Sequence, residues 1–434
     1  VTHKVHYGKE IIEFELPLGW RLMPSRPVSP VRESVSVAEQ TVLALKDPLE
    51  ASVLAQRVKP GDRVAIITDD GTRQTPVREM LPPLLSELLG CGLDKEAIDI
   101  VVGLGTHAPM TQDALAHKLG PEVFKNFRVS QHDCRSIDLV PVGKLSTGAE
   151  VCVNPLVAKA QVVIGLGVIL PHPMNGFGGG PKIIFPAVAD YEAIREHHLA
   201  WTTDPQSVFG STRNNPFLKE VASVAKMAGL TYSLNCVFDL DDQVASVLFG
   251  SWQAVHGEGG RLSQKVCGME FETFSDVTII AGYPYEESLQ LMKPLALGSL
   301  LTRKDGPVIL LAKSNSPLPE FFLDSFARIL WESGGNAKDY VREKFKRGEL
   351  LLEDAPIDLN CALFFALVCK GRQRVVIVSR DLDRDQVERM GFVHYSDLTK
   401  ALAGESAIKP KAMVNLCPVG GMLPVLPKGH VLAY

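Results

Sequence analysis

VVIGLGVILPHPMNGFGGGPKIIFPAVADYEAIREHHLAW, Val162 to Trp201, is the stretch whose reading decides the fold. It opens as a strand, Val162 to Leu166, apolar and without charge. At Pro171-His172 it leaves the apolar pattern and enters a loop holding Gly176, Gly178, Gly179 and Gly180. Glycine loses more backbone entropy on folding than any other residue, so this density marks a loop that needs positive φ or close approach to its backbone. Lys182 ends the loop and Pro186 closes the apolar run behind it. Asp190 then reads as a helix N-cap. Beyond it Tyr191, Ile194, His198 and Trp201 share one helical face, while His197 falls on another with Asp190 and Ala193. The spacing therefore points His198, rather than His197, inward. The loop is not a Walker A motif: Lys182 is followed by Ile183 instead of Ser or Thr, and the glycine spacing differs.

Working outward, the same strand–polar loop–helix unit recurs upstream. VAIIT (64–68) runs into Asp69-Asp70-Gly71-Thr72-Arg73-Gln74-Thr75-Pro76 and a helix from about Val77 to Leu89. IDIVVGLG (98–105) runs into Thr106-His107-Ala108-Pro109-Met110-Thr111 and a helix from about Gln112 to Leu119. Continuous apolar strands alternating with helices predict a parallel sheet covered on both faces. In such a sheet the loops after the strand C-termini line one edge, where ligands bind. Asp70, Arg73, His107 and His172 should share that edge. Each loop taken singly could be a turn or a capped helix start.

The rest of the chain bounds the answer. At 434 residues it needs more than one core. With 46% hydrophobic and 22% charged residues it is globular, and a net charge of −5 does not suit a nucleic-acid face. No apolar run approaches the roughly 20 residues that span a bilayer. VTHKVHYGKEIIEFELP alternates as a strand pair around Gly8 and lacks the pattern of a secretory signal. Eight cysteines without a CxxC read as reduced thiols, which predicts a cytoplasmic protein and leaves imidazole as the protein ligand for any metal. Helices are expected at Asn215–Ala228 and Ser251–Cys267 with one strand, SLNCVFDL, between them. A second α/β block begins near Phe271, with strands VTIIAG (277–282), VILLA (308–312) and VVIVS (375–379). The Pro/Gly-rich tail CPVGGMLPVLP is expected to return to the first domain. The fold expected is α/β: two α/β domains with parallel-type sheets and an active-site cleft between them. The N-terminal cofactor-binding domain would cover 1–268, joined by the tail 410–434, and the C-terminal domain 269–409.

As a set, DDGTRQTP, GLGTHAPMT, HPMNGFGGGPK and the later EHH resemble the nickel-dependent lactate racemase family, with the spacings from His172 to Lys182 and on to His198. The resemblance runs through most of the chain. It implies a racemase or epimerase that inverts C2 of a small-molecule 2-hydroxy acid through a 2-keto acid. It implies as cofactor a nickel-pincer nucleotide, pyridinium-3,5-bisthiocarboxylic acid mononucleotide, attached covalently to Lys182 and supplied by cofactor-biosynthesis enzymes. His198 would ligate the nickel, a metal that suits imidazole. His107 and His172 would be the acid/base pair. Thr72, Gly178, Gly179 and Gly180 would line the cofactor, and Asp70 would hold the cofactor or orient Arg73. Arg73 would bind the substrate carboxylate, with Gln290 and Lys293 contributed by the second domain. No nucleic acid or membrane partner is implied. Inverting a centre needs access to both faces, and histidine is the natural proton carrier near neutral pH.

The chain departs from the family at Leu289, where a tyrosine is expected, and at Asn175, where a small residue is usual. No tryptophan follows Trp331. These changes touch the substrate wall, so a hydroxy acid other than lactate, or a sugar acid, fits as well. The competing reading is a non-catalytic nucleotide- or phosphate-binding protein using the Gly176–Gly180 loop. A histidine-metal hydrolase has no HExxH to support it.

Overall fold

A computed structural model describes residues 1–27, 35–286, 288–426 and 432. The chain forms two compact units. One comprises Ser29–Trp201 and Gly210–Val266; the other comprises Val1–Val28, Thr202–Phe209 and Cys267–Tyr434.

The first unit is built on a six-stranded sheet. Its centre is the Val162–Ile169 strand, all eight residues of which are buried. Val64–Asp69 lies parallel on one side of it, followed by Ile98–Gly103 and Arg128–Gln131. Leu230–Phe238 lies parallel on the other side and carries an antiparallel edge strand, Val244–Ser251. Burial on both faces explains why these strands read as unbroken apolar runs rather than as alternation. The helix Val77–Gly90 covers one face with Val77, Met80, Leu81, Leu84, Leu85 and Leu88, an i, i+3, i+4 stripe. Its two prolines, Pro82 and Pro83, do not interrupt it. The sheet's second face receives the turn Gly180–Ile183, whose Ile183 lies where a side chain at Gly165 would point. A single strand was expected between residues 228 and 251; the edge strand Val244–Ser251 is the correction. Its alternating burial at Ala245, Val247 and Phe249 marks one core-facing side.

The other unit holds a six-stranded all-parallel sheet, Val393–Tyr395, Arg374–Val378, Pro307–Leu311, Val277–Ala281, Ala412–Cys417 and Trp20–Leu22 in spatial order. Two sequence expectations change here. The tail does not return to the N-terminal domain: Ala412–Cys417 pairs with Val277–Ala281, and Leu423–Val425 pairs with Gly268–Phe271. The N-terminal hairpin, Thr2–Tyr7 on Glu10–Glu15, also belongs to this unit, where Val5, Tyr7 and Phe14 join its core and the Tyr7 hydroxyl donates to Asp381 at 2.6 Å. Both segments fill edges and faces that the contiguous block 269–409 would leave open. The Pro-rich crossing expected at Pro24–Pro30 lies partly outside the described residues. Among those described, no helix is long and apolar enough to cross a membrane.

Candidate active site

Three loops leave adjacent parallel strands at the same edge of the first sheet. Asp69 is paired in register with Gly103, and Thr68 with Leu166, so the turns after residues 69, 103 and 169 start side by side.

Asp70 organises the first two. It is 5% exposed. Its Oδ2 accepts from His107 Nδ1 at 2.6 Å. Its Oδ1 accepts from the Thr72 backbone N–H at 2.9 Å and the Thr72 hydroxyl at 2.5 Å. Thr72 Oγ1 in turn accepts from Arg73 at 2.7 Å. Burial alone would push the Asp70 carboxyl up; the His107 hydrogen bond, with the charges of His107 and Arg73, outweighs it and holds the group well below the usual carboxylate range. Both oxygens of Asp70 are thus spent inside the protein. Asp70 thereby orients His107 and, through Thr72, Arg73, the second of the two roles expected for it.

The same loop is anchored from behind by residues the sequence reading did not single out. Lys118, 9% exposed at its side chain, places Nζ 2.9 Å from Asp69 Oδ1 and donates to the Arg73 carbonyl at 2.9 Å. Thr75 donates to Asp69 Oδ2 in a short hydrogen bond. Asp69 was visible in the DDGTR motif, but nothing in sequence ties Lys118, at the end of the Gln112–Leu119 helix, to it.

The third loop begins as a tight hairpin in which His172 faces Gly176. His172 Nδ1 accepts from the backbone N–H groups of Met174 at 3.2 Å and Asn175 at 3.1 Å. The glycines that follow are explained by the protein itself. Gly176, Gly179 and Gly180 have φ of 75°, 69° and 50°. A Cβ at Gly179 would stand 2.7 Å from the Val168 carbonyl, and one at Gly180 would stand 2.7 Å from the His256 ring. Only Gly178 leaves ordinary space, its nearest neighbours being 3.7 Å away. Gly179 and Gly180 are thus required by contacts within the protein, whatever else their backbone meets.

The helix Tyr191–Trp201 is capped by Asp190, whose Oδ1 accepts from the Ala193 N–H at 2.9 Å. It buries both of its histidines, His197 at 0% and His198 at 8% exposure, so the expectation that only His198 turns inward is corrected. The helix Pro216–Met227 packs on the other side, and His197 lies edge-on to Phe185 and Phe217. Carbonyl partners fix the tautomers. His197 donates from Nε2 to the Phe217 carbonyl at 3.1 Å, and His198 donates from Nδ1 to the Ile194 carbonyl at 2.8 Å. The His198 lone pair is therefore on Nε2. Burial first, then the neighbouring His197 and Lys182, keep His198 neutral, its pKa well below the usual value. Lys182 Nζ lies 5.6 Å from the Phe217 ring, whose centroid is 5.0 Å from that of His198.

His256, in the helix Trp252–Val266, was also missed. It is 8% exposed, its Nε2 has no hydrogen-bond partner, and burial lowers its pKa to about 4. The signal was present in the HGEGG run: Gly259 and Gly260 let this helix close on Ile169 and Phe177. The buried neutral histidines make a prediction. In the unfolded chain His256 titrates near 6.5, so below that pH the unfolded state takes up a proton that the native state refuses. Stability then falls as pH drops from about 6.5 towards 4, by about 1.4 kcal/mol per pH unit for this group. Urea melts between pH 7 and 4.5 should show that slope, and His256→Gln should reduce it by about one proton; an unchanged slope would refute the assignment.

Among the described residues no three His, Cys, Asp or Glu side chains gather as a metal site. A metal at His198 would take one protein ligand and draw the others from a bound group. Gln290 and Lys293 lie in the other unit, past the Val277–Ala281 strand. Lys293 Nζ is 5.3 Å from the Tyr285 ring, and Gln290 Oε1 is buried without a hydrogen-bond partner.

Residues 7–210 match the model of the lactate racemase N-terminal domain. The chain is 26% identical over 426 residues to the lactate racemase of Thermoanaerobacterium thermosaccharolyticum, covering 96% of this chain and 97% of that one. It is 26% identical over 282 residues to the lactate racemase of Lactiplantibacillus plantarum, 64% of this chain and 66% of that one. Its fold matches the lactate racemase apoprotein structure from T. thermosaccharolyticum at a TM-score of 0.85, with 24% identity and coverage of 99% and 100%. A Thermotoga maritima protein matches at 0.64, with 19% identity and coverage of 90% and 97%.

Proposed function

The chain belongs to the lactate racemase family, and we propose that it is a racemase or epimerase that inverts C2 of a 2-hydroxy acid, using a nickel-pincer nucleotide carried on Lys182. The observation that carries this reading is His198: a buried, neutral imidazole, held through Nδ1 on the Ile194 carbonyl, with its lone pair on Nε2. A single imidazole nitrogen suits a nickel ion that arrives with its own ligands. Lys182, close enough for its charge to act on His198, is the amine to which such a cofactor would be joined. When bound, the group supplies a site that takes the Cα hydrogen with its electron pair and returns it to either face of the keto acid.

The chain's own residues do the rest. The Arg73 guanidinium, its backbone fixed by Lys118, is a planar fork for a carboxylate. His107, oriented by Asp70, holds the hydroxyl proton at Nε2, and His172, on the loop at the other side of the Asp70 loop, serves the opposite face. Gly178 is the cradle position at which a Cβ would meet only ordinary contacts. Gln290 and Lys293 remain in the reading as substrate contacts on the strength of the resemblance, and the substitutions at Leu289 and Asn175 leave the identity of the hydroxy acid to experiment. Three glycines of the Gly176–Gly180 loop are required by contacts within the protein, so their presence by itself does not favour the nucleotide-binding alternative.

The test is intact mass and nickel content of protein co-produced with the cofactor-making enzymes, beside Lys182→Ala and the T. thermosaccharolyticum lactate racemase as control. The wild type should carry an adduct and nickel, and Lys182→Ala neither. If the control loads and this chain does not, the reading fails.

A further inference from the structure

At the strand ends beneath the candidate site, polar side chains enter the sheet's interior. Asp69, Gly167 and Asn235 stand side by side on three neighbouring parallel strands: Thr68 is in register with Leu166, and Gly167 with Asn235. The point that a Cβ on Gly167 would take is 3.3 Å from Asp69 Oδ2 and 3.5 Å from Asn235 Nδ2, so both polar side chains lean over the glycine on one face of the sheet. Asn235 is 1% exposed and the Asp69 side chain 14%. Polar groups at this depth are costly unless they are paired. Here the pairing reaches the backbone of two different loops.

Asn235 Oδ1 accepts from the Gly180 N–H at 2.9 Å, and its Nδ2 donates to the Leu234 carbonyl at 3.1 Å. Gly180 opens the turn Gly180–Ile183, and Lys182 follows two residues later. On the other side Lys118 Nζ stands 2.9 Å from Asp69 Oδ1, an ion pair without the angle of a hydrogen bond, and donates to the Arg73 carbonyl at 2.9 Å. Thr75 closes on the second oxygen of Asp69. A side chain that merely satisfied loop backbone could come from the loop itself, as Asp70 does for the Thr72 N–H. These two holds come from a strand and a helix, the rigid elements on which a site is placed most precisely.

We infer that Asn235 and Lys118 are positioning residues with separate duties: Asn235 sets the turn from which Lys182 takes up the cofactor, and Lys118, braced on Asp69, sets the loop from which Arg73 takes the substrate carboxylate. This rests on the racemase reading above and deepens it. Neither residue touches the reacting atoms in this scheme. Each acts through the backbone of one loop, so loss of one should displace one arm of the site and leave the other in place.

The experiment starts with the whole chain produced without cofactor. Hydrogen exchange, read by mass spectrometry, compares Asn235→Leu and Asn235→Ala with Lys118→Met, and with Lys118→Met combined with Asp69→Asn, which leaves no uncompensated buried charge. The Asn235 variants should speed exchange in the peptide 176–185 and leave 70–77 unchanged; the Lys118 variants should do the reverse. Slow exchange in the Val162–Ile169 strand reports that each variant is folded. The same variants are then co-produced with the cofactor-making enzymes, beside the T. thermosaccharolyticum lactate racemase. A misplaced Lys182 should lower the fraction carrying adduct, by intact mass, about tenfold or more in the Asn235 variants, with KM unchanged in the molecules that load. The Lys118 variants should load as wild type does and raise KM about tenfold, the mark of lost carboxylate binding. KM is read with the member of a panel of small 2-hydroxy acids and sugar acids that the wild type interconverts fastest. Exchange that rises in both loops for either residue, or loading and KM that move together, would make these residues general supports of the fold and overturn the inference while the racemase reading stands. A wild type that fails to load beside a loaded control, or loads and interconverts none of the panel, would defeat the racemase reading, and the inference with it.

Discussion

Replacing Asp70 by Asn will lower turnover about a hundred- to ten-thousandfold while leaving cofactor loading intact. The carboxylate receives the His107 Nδ1 hydrogen at 2.6 Å and two hydrogen bonds from Thr72, so the substitution is isosteric and the loop keeps its shape. What changes is the proton inventory. An amide can present its NH₂ to His107 Nδ1, which then becomes the acceptor, and the ring's hydrogen moves to Nε2. The imidazole then faces the substrate already protonated and cannot take the hydroxyl proton; loss of an orienting carboxylate in a serine-protease triad costs about 10⁴ for this reason. The imidazolium also loses its counter-ion in a site where Asp70 is 5% exposed. Steady-state racemisation, with adduct mass and nickel content as the loading control, checks the result. Turnover within threefold of wild type at full loading would remove Asp70 from the mechanism. A parallel loss of adduct would return it to the cofactor-binding role expected from the resemblance.

The contrast between what the chain announces and what it conceals has a physical basis. The parallel core was legible because a strand buried on both faces is nearly all apolar: Val162–Ile169 has no polar side chain, Val64–Asp69 has polar groups only at its end, and Ile98–Gly103 has only Asp99, which is paired with Arg63 and Arg128. The polar loops were legible because a parallel sheet gathers its strand ends at one edge. Partnership across that edge was not. Asp70 and His107 are 37 positions apart, and Lys118 is 45 from the carbonyl it holds. A chain pattern carries no information about which of several polar groups at an edge will pair. The tail misled for a related reason. Pro and Gly argued against regular structure in CPVGGMLPVLP, yet Leu423–Val425 within it pairs with Gly268–Phe271, and Ala412–Cys417 just before it inserts between Trp20–Leu22 and Val277–Ala281, pairings set by the open edges of a sheet rather than by local propensity. The helical period separated His197 from His198 correctly. It failed to bury His197 because a helix packed on two sides has two inner faces, and the second is invisible until Phe217 is in place.

Gly176→Ala is expected to be among the most destabilising single substitutions in this loop, several kcal/mol against about 1 kcal/mol or less for Gly178→Ala. The two glycines are two positions apart and were indistinguishable as sequence. At Gly176 the backbone has φ of 75°, and an added Cβ would fall on the Ser211 carbonyl oxygen and stand 2.9 Å from its carbon. Ser211 cannot retreat cheaply. Its carbonyl accepts from Asn215 Nδ2 at 3.0 Å, the same amide donates to the Met174 carbonyl at 2.7 Å, and the Gly210 N–H donates to the Gly176 carbonyl at 3.0 Å. Moving Ser211 would break the clamp on the hairpin that holds His172 opposite Gly176. At Gly178 the Cβ would find only ordinary contacts at 3.7 Å. Urea unfolding of the two variants side by side measures the difference directly. If Gly178→Ala is as stable as wild type yet loads cofactor poorly, that position is where the ring rests. If Gly176→Ala proves as stable as wild type, the hairpin has more freedom than its hydrogen bonds permit.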